Sequence, residues 1–127
     1  RWIDATLADA RSKGYVTTLF QRRRYIRDLT ASDQNVRSAA ERMAINTPVQ
    51  GSAADIIKRA MIDVDRALES RSAKLLLQVH DELVVEAPAE EAEETAHMVK
   101  QIMEEAAVLD VPMKVDVGIG DNWAAIH

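Results

Sequence analysis

The sequence predicts an α+β fold: a small antiparallel sheet, made of a hairpin over 75–87 plus a strand over 113–118, packed on long helices over 52–69 and 90–107. Three observations predict it. Two apolar runs, Leu75-Leu76-Leu77-Gln78-Val79 and Leu83-Val84-Val85, face each other across a polar bend, His80-Asp81-Glu82, as paired strands do. Apolar residues recur at helical spacing in both helices: Ile57, Ala60, Met61, Val64 and Leu68 in the first, and Ala92, Ala96, Val99, Met103 and Ala106 in the second. Met113-Lys114-Val115-Asp116-Val117-Gly118, introduced by Pro112, alternates like a half-buried strand, and its simplest place is beside the hairpin.

The remaining elements follow in chain order. Trp2, Ile3, Ala5, Leu7 and Ala10 lie near helical spacing and Gly14 is a stop signal, so residues 2–13 form a helix. No Ser, Thr, Asp or Asn precedes Trp2 to cap it, and the chain is expected to be a piece truncated at its N-terminus. Tyr15-Val16-Thr17-Thr18-Leu19-Phe20 is β-rich, and Arg22-Arg23-Arg24-Tyr25-Ile26 returns beside it, with Arg22 and Arg24 on one face and Arg23 on the other. These arginines suit either phosphate binding or a hairpin kept soluble by charge. From Ser32 to Ser70 the pattern is helical, with Ser32 or Asp33 as cap. Pro48 removes a hydrogen bond there, so two helices, about 33–46 and 52–69, are expected to meet near Thr47-Pro48-Val49-Gln50-Gly51. Glu90, Glu91, Glu93 and Glu94 open the last helix, where carboxylates suit the positive end of the dipole. His97 lies off its stripe and is read as solvated, and Trp123 is the one large anchor of the tail.

Composition narrows the function classes. At 127 residues the chain is of ordinary size for one domain, and no apolar run approaches the length of a membrane span. It has no cysteine, which excludes disulfides and thiolate metal sites and makes the cytoplasm the default compartment. The net charge of −5 hides an asymmetry: residues 1–50 hold nine Lys and Arg against five Asp and Glu, and residues 51–127 hold seven against sixteen. A polyanion would meet the first part.

Two groups of residues carry chemistry. The bend His80-Asp81-Glu82 lacks the glycine that a tight hairpin favours, and two adjacent carboxylates beside an imidazole suit metal ligands as well as a plain polar turn. Arg42, Asn46 and Gln50 stand at i, i+4 and i+8, drifting by about 40° per step on a continuous helix. Their donors fit purine N3 and pyrimidine O2, the minor-groove acceptors common to all base pairs. Alternatively Arg42 pairs with a carboxylate while the two amides cap a helix broken at Pro48.

The run from Ala40 to Lys58, with Arg42-Met43-Ala44-Ile45-Asn46-Thr47-Pro48-Val49-Gln50-Gly51 at its centre, followed by Gln78-Val79-His80-Asp81-Glu82-Leu83, resembles the C-terminal part of a family-A DNA polymerase, the bacterial DNA polymerase I type. Gly14-Tyr15-Val16-Thr17-Thr18 resembles the hairpin after the fingers helices, and Val115-Asp116-Val117-Gly118 with Asn122-Trp123 the closing palm strand and tail. The resemblance implies a domain portion with about 1–50 on the fingers side and about 51–127 in the palm. It implies Asp81 as a catalytic ligand of two Mg²⁺ ions with Glu82 in support, His80 near the primer terminus, and Arg42, Asn46 and Gln50 on primer–template DNA. Deoxynucleoside triphosphates are then the substrates, with no membrane partner. Gln21 stands where the family usually has glycine, and Arg27 where proline is common. The family's other metal aspartate and its nucleotide-gripping fingers helix belong upstream of Arg1, so the chain alone is expected to be inactive and to self-associate. A duplex-binding module using Arg42, Asn46 and Gln50, and a metal-dependent nuclease using His80, Asp81 and Glu82, are the rival readings.

Overall fold

A computed structural model describes residues 1–126 as helices with two small antiparallel sheets, dividing into two compact units, Arg1–Asp55 and Ile56 onward. The α+β class holds.

In the first unit, α1 (Trp2–Lys13) starts without a side-chain cap and ends on Gly14, whose φ of 82° closes the helix through its amide to the Ala10 carbonyl. The hairpin of β1 (Tyr15–Thr17) and β2 (Arg23–Tyr25) pairs Tyr15 with Tyr25, Val16 with Arg24 and Thr17 with Arg23. Both strands are shorter than expected because the chain reverses at Thr18. Its hydroxyl collects the amides of Phe20 and Arg22, and its carbonyl accepts from Gln21. Leu19, Phe20 and Gln21 form a three-residue loop whose last position is left-handed, with Gln21 at φ 66°. A glycine suits that position, yet the loop closes with glutamine in it.

The helix α2 begins in this unit, where Asp33 accepts the amides of Asn35 and Val36 as its cap. Ala10, Val16, Ile26, Leu29, Ala40 and Ala44 form the core of the unit, with Leu7 packed against it.

The expected break at Pro48 does not occur: α2 is one helix, Gln34–Leu68, with the proline inside it. An interior proline costs about 3 kcal/mol. Hydrogen bonds from the hairpin offset this on both sides of the proline. Arg24 donates to the Thr47 hydroxyl at 3.3 Å, the Leu19 amide to the Ser52 hydroxyl at 2.9 Å, Thr18 Oγ1 to Asp55 Oδ2 at 2.6 Å and Arg22 Nε to Asp55 Oδ1 at 2.8 Å. Each contributes about 1 kcal/mol net, and those to the carboxylate more. Residues 47–55 are thus held in helical array by the strands they face.

In the second unit the predicted stripe of α2 is present: Ala60, Val64 and Leu68 are buried, Ile57 and Met61 partly so. Val64, Leu68, Ala73 and Val99 form the core, and Leu75, Leu83, Val85, Met98, Ile102 and Met103 pack on it. The strands β3 (Lys74–Val79) and β4 (Glu82–Glu86) form the expected hairpin, but with a bulge: Leu75 lies opposite Val85 and Leu77 opposite Val84, leaving Leu76 as the extra residue. That one-residue shift turns Leu77 away from the face that Leu75 occupies, and Leu76 and Leu77 are 52% and 41% exposed. The last helix, α3 (Ala92–Glu104), follows a 3-10 turn at Ala89–Glu91 and carries an exposed His97, as read from the pattern.

The expected strand over 113–118 is not a strand. The β3–β4 sheet is two-stranded, and residues 112–120 join no ladder among the described residues. Alternation marks which side chains share a face but supplies no partner. Here the Val115 amide is taken by a side chain, Glu104 Oε2 at 2.9 Å, in place of a neighbouring strand. The tail closes with a 3-10 turn at Trp123–Ile126, and Trp123 is 44% exposed.

The left-handed Gln21 gives a direct test. Gln21→Gly removes a side-chain clash worth about 1–2 kcal/mol and adds back some unfolded-chain entropy, for a net gain of about 0.5–1 kcal/mol. Native-state hydrogen exchange at the Thr18 and Gln21 amides should slow accordingly; unchanged or faster exchange would show that the loop carries no such strain.

Candidate functional site

The sequence-predicted site residues fall in both units. In the first, Arg42, Asn46 and Gln50 are all exposed on α2, and because the helix runs on through Pro48 they share one face. None of the three side chains makes a hydrogen bond or ion pair among the described residues. The neighbouring carboxylate Glu41 is engaged elsewhere, by Arg11 at 3.0 Å. Arg42 therefore has no carboxylate partner, and the amides of Asn46 and Gln50 cap no helix end. The arrangement is a row of hydrogen-bond donors facing water, suited to a ligand with a line of acceptors.

Beneath this row lies a polar cluster that pattern reading missed. Thr47, Ser52 and Asp55 are buried on α2, on the side that meets the β1–β2 hairpin. Asp55, 9% exposed, receives both the Thr18 hydroxyl and the Arg22 guanidinium. The Ser52 hydroxyl accepts from the Leu19 amide and donates to the Pro48 carbonyl. The signal was present in the sequence: the stripe that starts with Ala40 and Ala44 continues into Thr47, Ser52 and Asp55, and polar residues on a buried stripe require polar partners. Arg22 and the two arginines of β2 divide as alternation predicts. Arg22 and Arg24 reach α2, while Arg23 lies over the Tyr15 ring at 4.4 Å. All three guanidinium groups are thus engaged within the protein.

Gly51 is where the hairpin comes closest. A Cβ placed there would lie 2.8 Å from Thr18 Cγ2, and Thr18 cannot rotate away without releasing Asp55.

In the second unit His80 and Asp81 form the two-residue turn between Val79 and Glu82, which pair across the hairpin. His80 takes φ 53°, doing without a glycine what the turn requires. Asp81 is exposed at the tip and Glu82 is half-buried at the start of β4. The two carboxylates are therefore adjacent in chain on a held bend. Among the described residues no group of three or more His, Asp and Glu side chains comes together that could hold a metal ion by itself. No described helix is long and apolar enough to cross a membrane.

Residues 1–125 match the model of DNA polymerase family A. The chain belongs to that family. It is 56% identical over 125 residues to DNA polymerase I of Bacillus caldotenax, covering 97% of this chain and 14% of that protein. It is also 56% identical over 122 residues to the thermostable DNA polymerase I of Thermus aquaticus, covering 96% of this chain and 15% of that protein. A solved structure, the POL domain of Pol1 from M. smegmatis in complex with DNA primer-template and dNTP, is similar at a TM-score of 0.94 with 46% identity, over 98% of this chain and 22% of that one. This family-A chain thus spans about one seventh of the length of the curated relatives it matches.

The close approach at Gly51 predicts a specific rescue. Gly51→Ala should destabilise the protein by about 1–3 kcal/mol through overpacking against the Thr18 methyl. Adding Thr18→Ser, which removes that methyl and keeps the hydroxyl for Asp55, should restore most of the loss in a double-mutant cycle on urea unfolding; additive losses would place the clash elsewhere.

Proposed function

We propose that this segment is the C-terminal part of a polymerase domain, about 1–50 on the fingers side and about 51–127 in the palm, and that the protein carrying it performs template-directed DNA synthesis in the cytoplasm. The observation that carries the reading is the exposed row of Arg42, Asn46 and Gln50 on an unbroken α2, in a chain of DNA polymerase family A. Guanidinium and amide donors in a row match purine N3 and pyrimidine O2 along the minor groove, so primer–template is held firmly without regard to its sequence. The basic balance of residues 1–50 favours the same polyanion.

Catalysis falls to the bend. Asp81 and Glu82 offer carboxylate oxygens, the hard donors that Mg²⁺ prefers, and they fit part of a divalent-metal site that the two do not complete by themselves. Two bound Mg²⁺ ions would supply activation of the primer 3′-hydroxyl and charge neutralisation on the leaving pyrophosphate of a deoxynucleoside triphosphate. Asp81 at the exposed tip is the principal ligand, Glu82 at the root of β4 supports it, and His80 stands beside the primer terminus.

Three outcomes are expected. In the intact polymerase, Asp81→Asn should lower the rate of nucleotide addition by about 1,000-fold or more, because metal charge stabilisation is worth several kcal/mol. Primer–template affinity should change little. Loss of DNA affinity with turnover retained would favour a binding module, and release of nucleotides from duplex DNA would favour a nuclease. Arg42→Ala or Gln50→Ala should weaken primer–template binding about equally for all sequences, measured by fluorescence anisotropy on a panel of duplexes; a strong sequence preference would require base-specific contacts. The 127-residue chain alone should give no primer extension with Mg²⁺ and all four deoxynucleotides, and should self-associate in sedimentation through exposed apolar residues such as Leu76, Leu77 and Val117. Extension above an Asp81→Ala control would place a complete metal site within it.

A further inference from the structure

We propose that Gln78 is a positioning residue for Asp81: by donating its side-chain amide to the His80 carbonyl, it locks the central peptide of the bend and so sets the direction of the Asp81 carboxylate. The inference rests on the reading of Asp81 as a metal ligand and adds to it the device that aims this ligand.

The bend can exist in two forms. A two-residue hairpin turn of type I′ needs positive φ at both central residues, and one of type II′ only at the first. His80 has φ 53° and Asp81 is not among the residues of positive φ, so the bend has the φ signs of type II′. The two forms interconvert by rotating the His80–Asp81 peptide plane, which carries the His80 carbonyl and the Asp81 amide. That rotation changes ψ of His80 and φ of Asp81. It therefore redirects the Asp81 Cβ and its carboxylate while both strands stay in place.

The residues at the bend do not make this choice strongly. Type II′ turns favour glycine at the first position and type I′ turns favour Asn-Gly or Asp-Gly, and His-Asp is neither. The choice is made from outside the turn, by the bond from Gln78 Nε2 to the His80 carbonyl. With the peptide rotated, that carbonyl points to the other side and Gln78 loses its acceptor. Gln78 is in place to do this because of the bulge at Leu76. The bulge shifts the register so that Leu77 meets Val84 and Gln78 meets Leu83, putting an amide where the hydrophobic alternation begun by Leu75 would have put another residue. Bulge, amide and left-handed histidine act together on one peptide plane.

The test uses the intact polymerase and Mn²⁺ as the probe ion. Gln78→Met keeps the length of the side chain and removes the donor, so the bend divides between its two forms and the apparent affinity falls with the competent fraction. The Mn²⁺ concentration for half-saturation, read by electron paramagnetic resonance and by the metal dependence of primer extension, should rise about 3- to 10-fold, the range of one neutral hydrogen bond. Primer–template affinity should stay within about twofold, since the effect passes through the bend and not through DNA. In a His80→Gly background, where glycine itself favours the type II′ form, Gln78→Met should shift the Mn²⁺ midpoint by less than about twofold. An unchanged midpoint for Gln78→Met, an equal shift in both backgrounds, or a loss confined to primer–template affinity would overturn the proposal. Asp81→Asn separates the two levels. If it abolishes the Mn²⁺ signal while Gln78→Met has no effect, only the positioning role fails; if it leaves Mn²⁺ binding and extension intact, the metal-ligand reading fails and the positioning role with it.

Discussion

The buried carboxylate of Asp55 is the interaction on which the first unit depends. It takes the Thr18 hydroxyl at 2.6 Å and the Arg22 guanidinium at 2.8 Å, and so ties the reversal of the β1–β2 hairpin to α2. A carboxylate this buried is tolerated only when its oxygens are hydrogen-bonded, and here both are. The consequences reach in two directions along the helix. Toward the N-terminus, Ser52 and Thr47 add their own bonds to the hairpin, and the segment around Pro48 stays helical. On the opposite, exposed side, Arg42, Asn46 and Gln50 remain in one row because no turn of helix is lost between them. A cluster with no chemistry of its own thereby sets the spacing of the donors that face solvent.

The same economy governs the glycines of this unit and the places where glycine is missing. Gly51 is small because the hairpin is strapped down at that point, within 2.8 Å of where a Cβ would lie. Gln21, in contrast, occupies a left-handed loop position without being glycine, at φ 66°. The Thr18 hydroxyl, held by Asp55, gathers the amides of Phe20 and Arg22 and closes the loop regardless. His80 in the second unit is the parallel case, a left-handed residue at a bend whose backbone is bonded from outside, by Gln78. In both hairpins a side chain placed by the strands supplies what the turn residues lack.

Much of the molecule was legible from pattern alone. The α1 helix with its Gly14 stop, the Ala60-Val64-Leu68 stripe, the β3–β4 hairpin and the division of Arg22 and Arg24 from Arg23 all follow from local periodicity, because burial of one face is decided residue by residue. The misreadings share one cause. Pro48 looks like a break when only its own lost hydrogen bond is counted, and it is not one when the hairpin contributes four others. Residues 113–118 look like a strand because they alternate, but a strand is defined by its partner, and Val115 gives its amide to Glu104. The bulge at Leu76 is likewise invisible in a run of three leucines, any of which could be the extra residue.

The sequence by itself therefore determined most of the elements, the apolar faces and the chemistry on offer: hydrogen-bond donors at 42, 46 and 50, and adjacent carboxylates at 81 and 82. Those are properties of spacing and of functional groups, and both are local. The tertiary structure alone decided whether the row stays in line, which leucine of β3 is set aside, and which way the bend at Asp81 is turned. Each of these is a choice between backbone conformations that differ locally by a few kcal/mol at most. The first is settled by hydrogen bonds from residues distant in the chain, Thr18 and Arg22 to Asp55, and the last by a side chain just outside the turn, Gln78 to the His80 carbonyl.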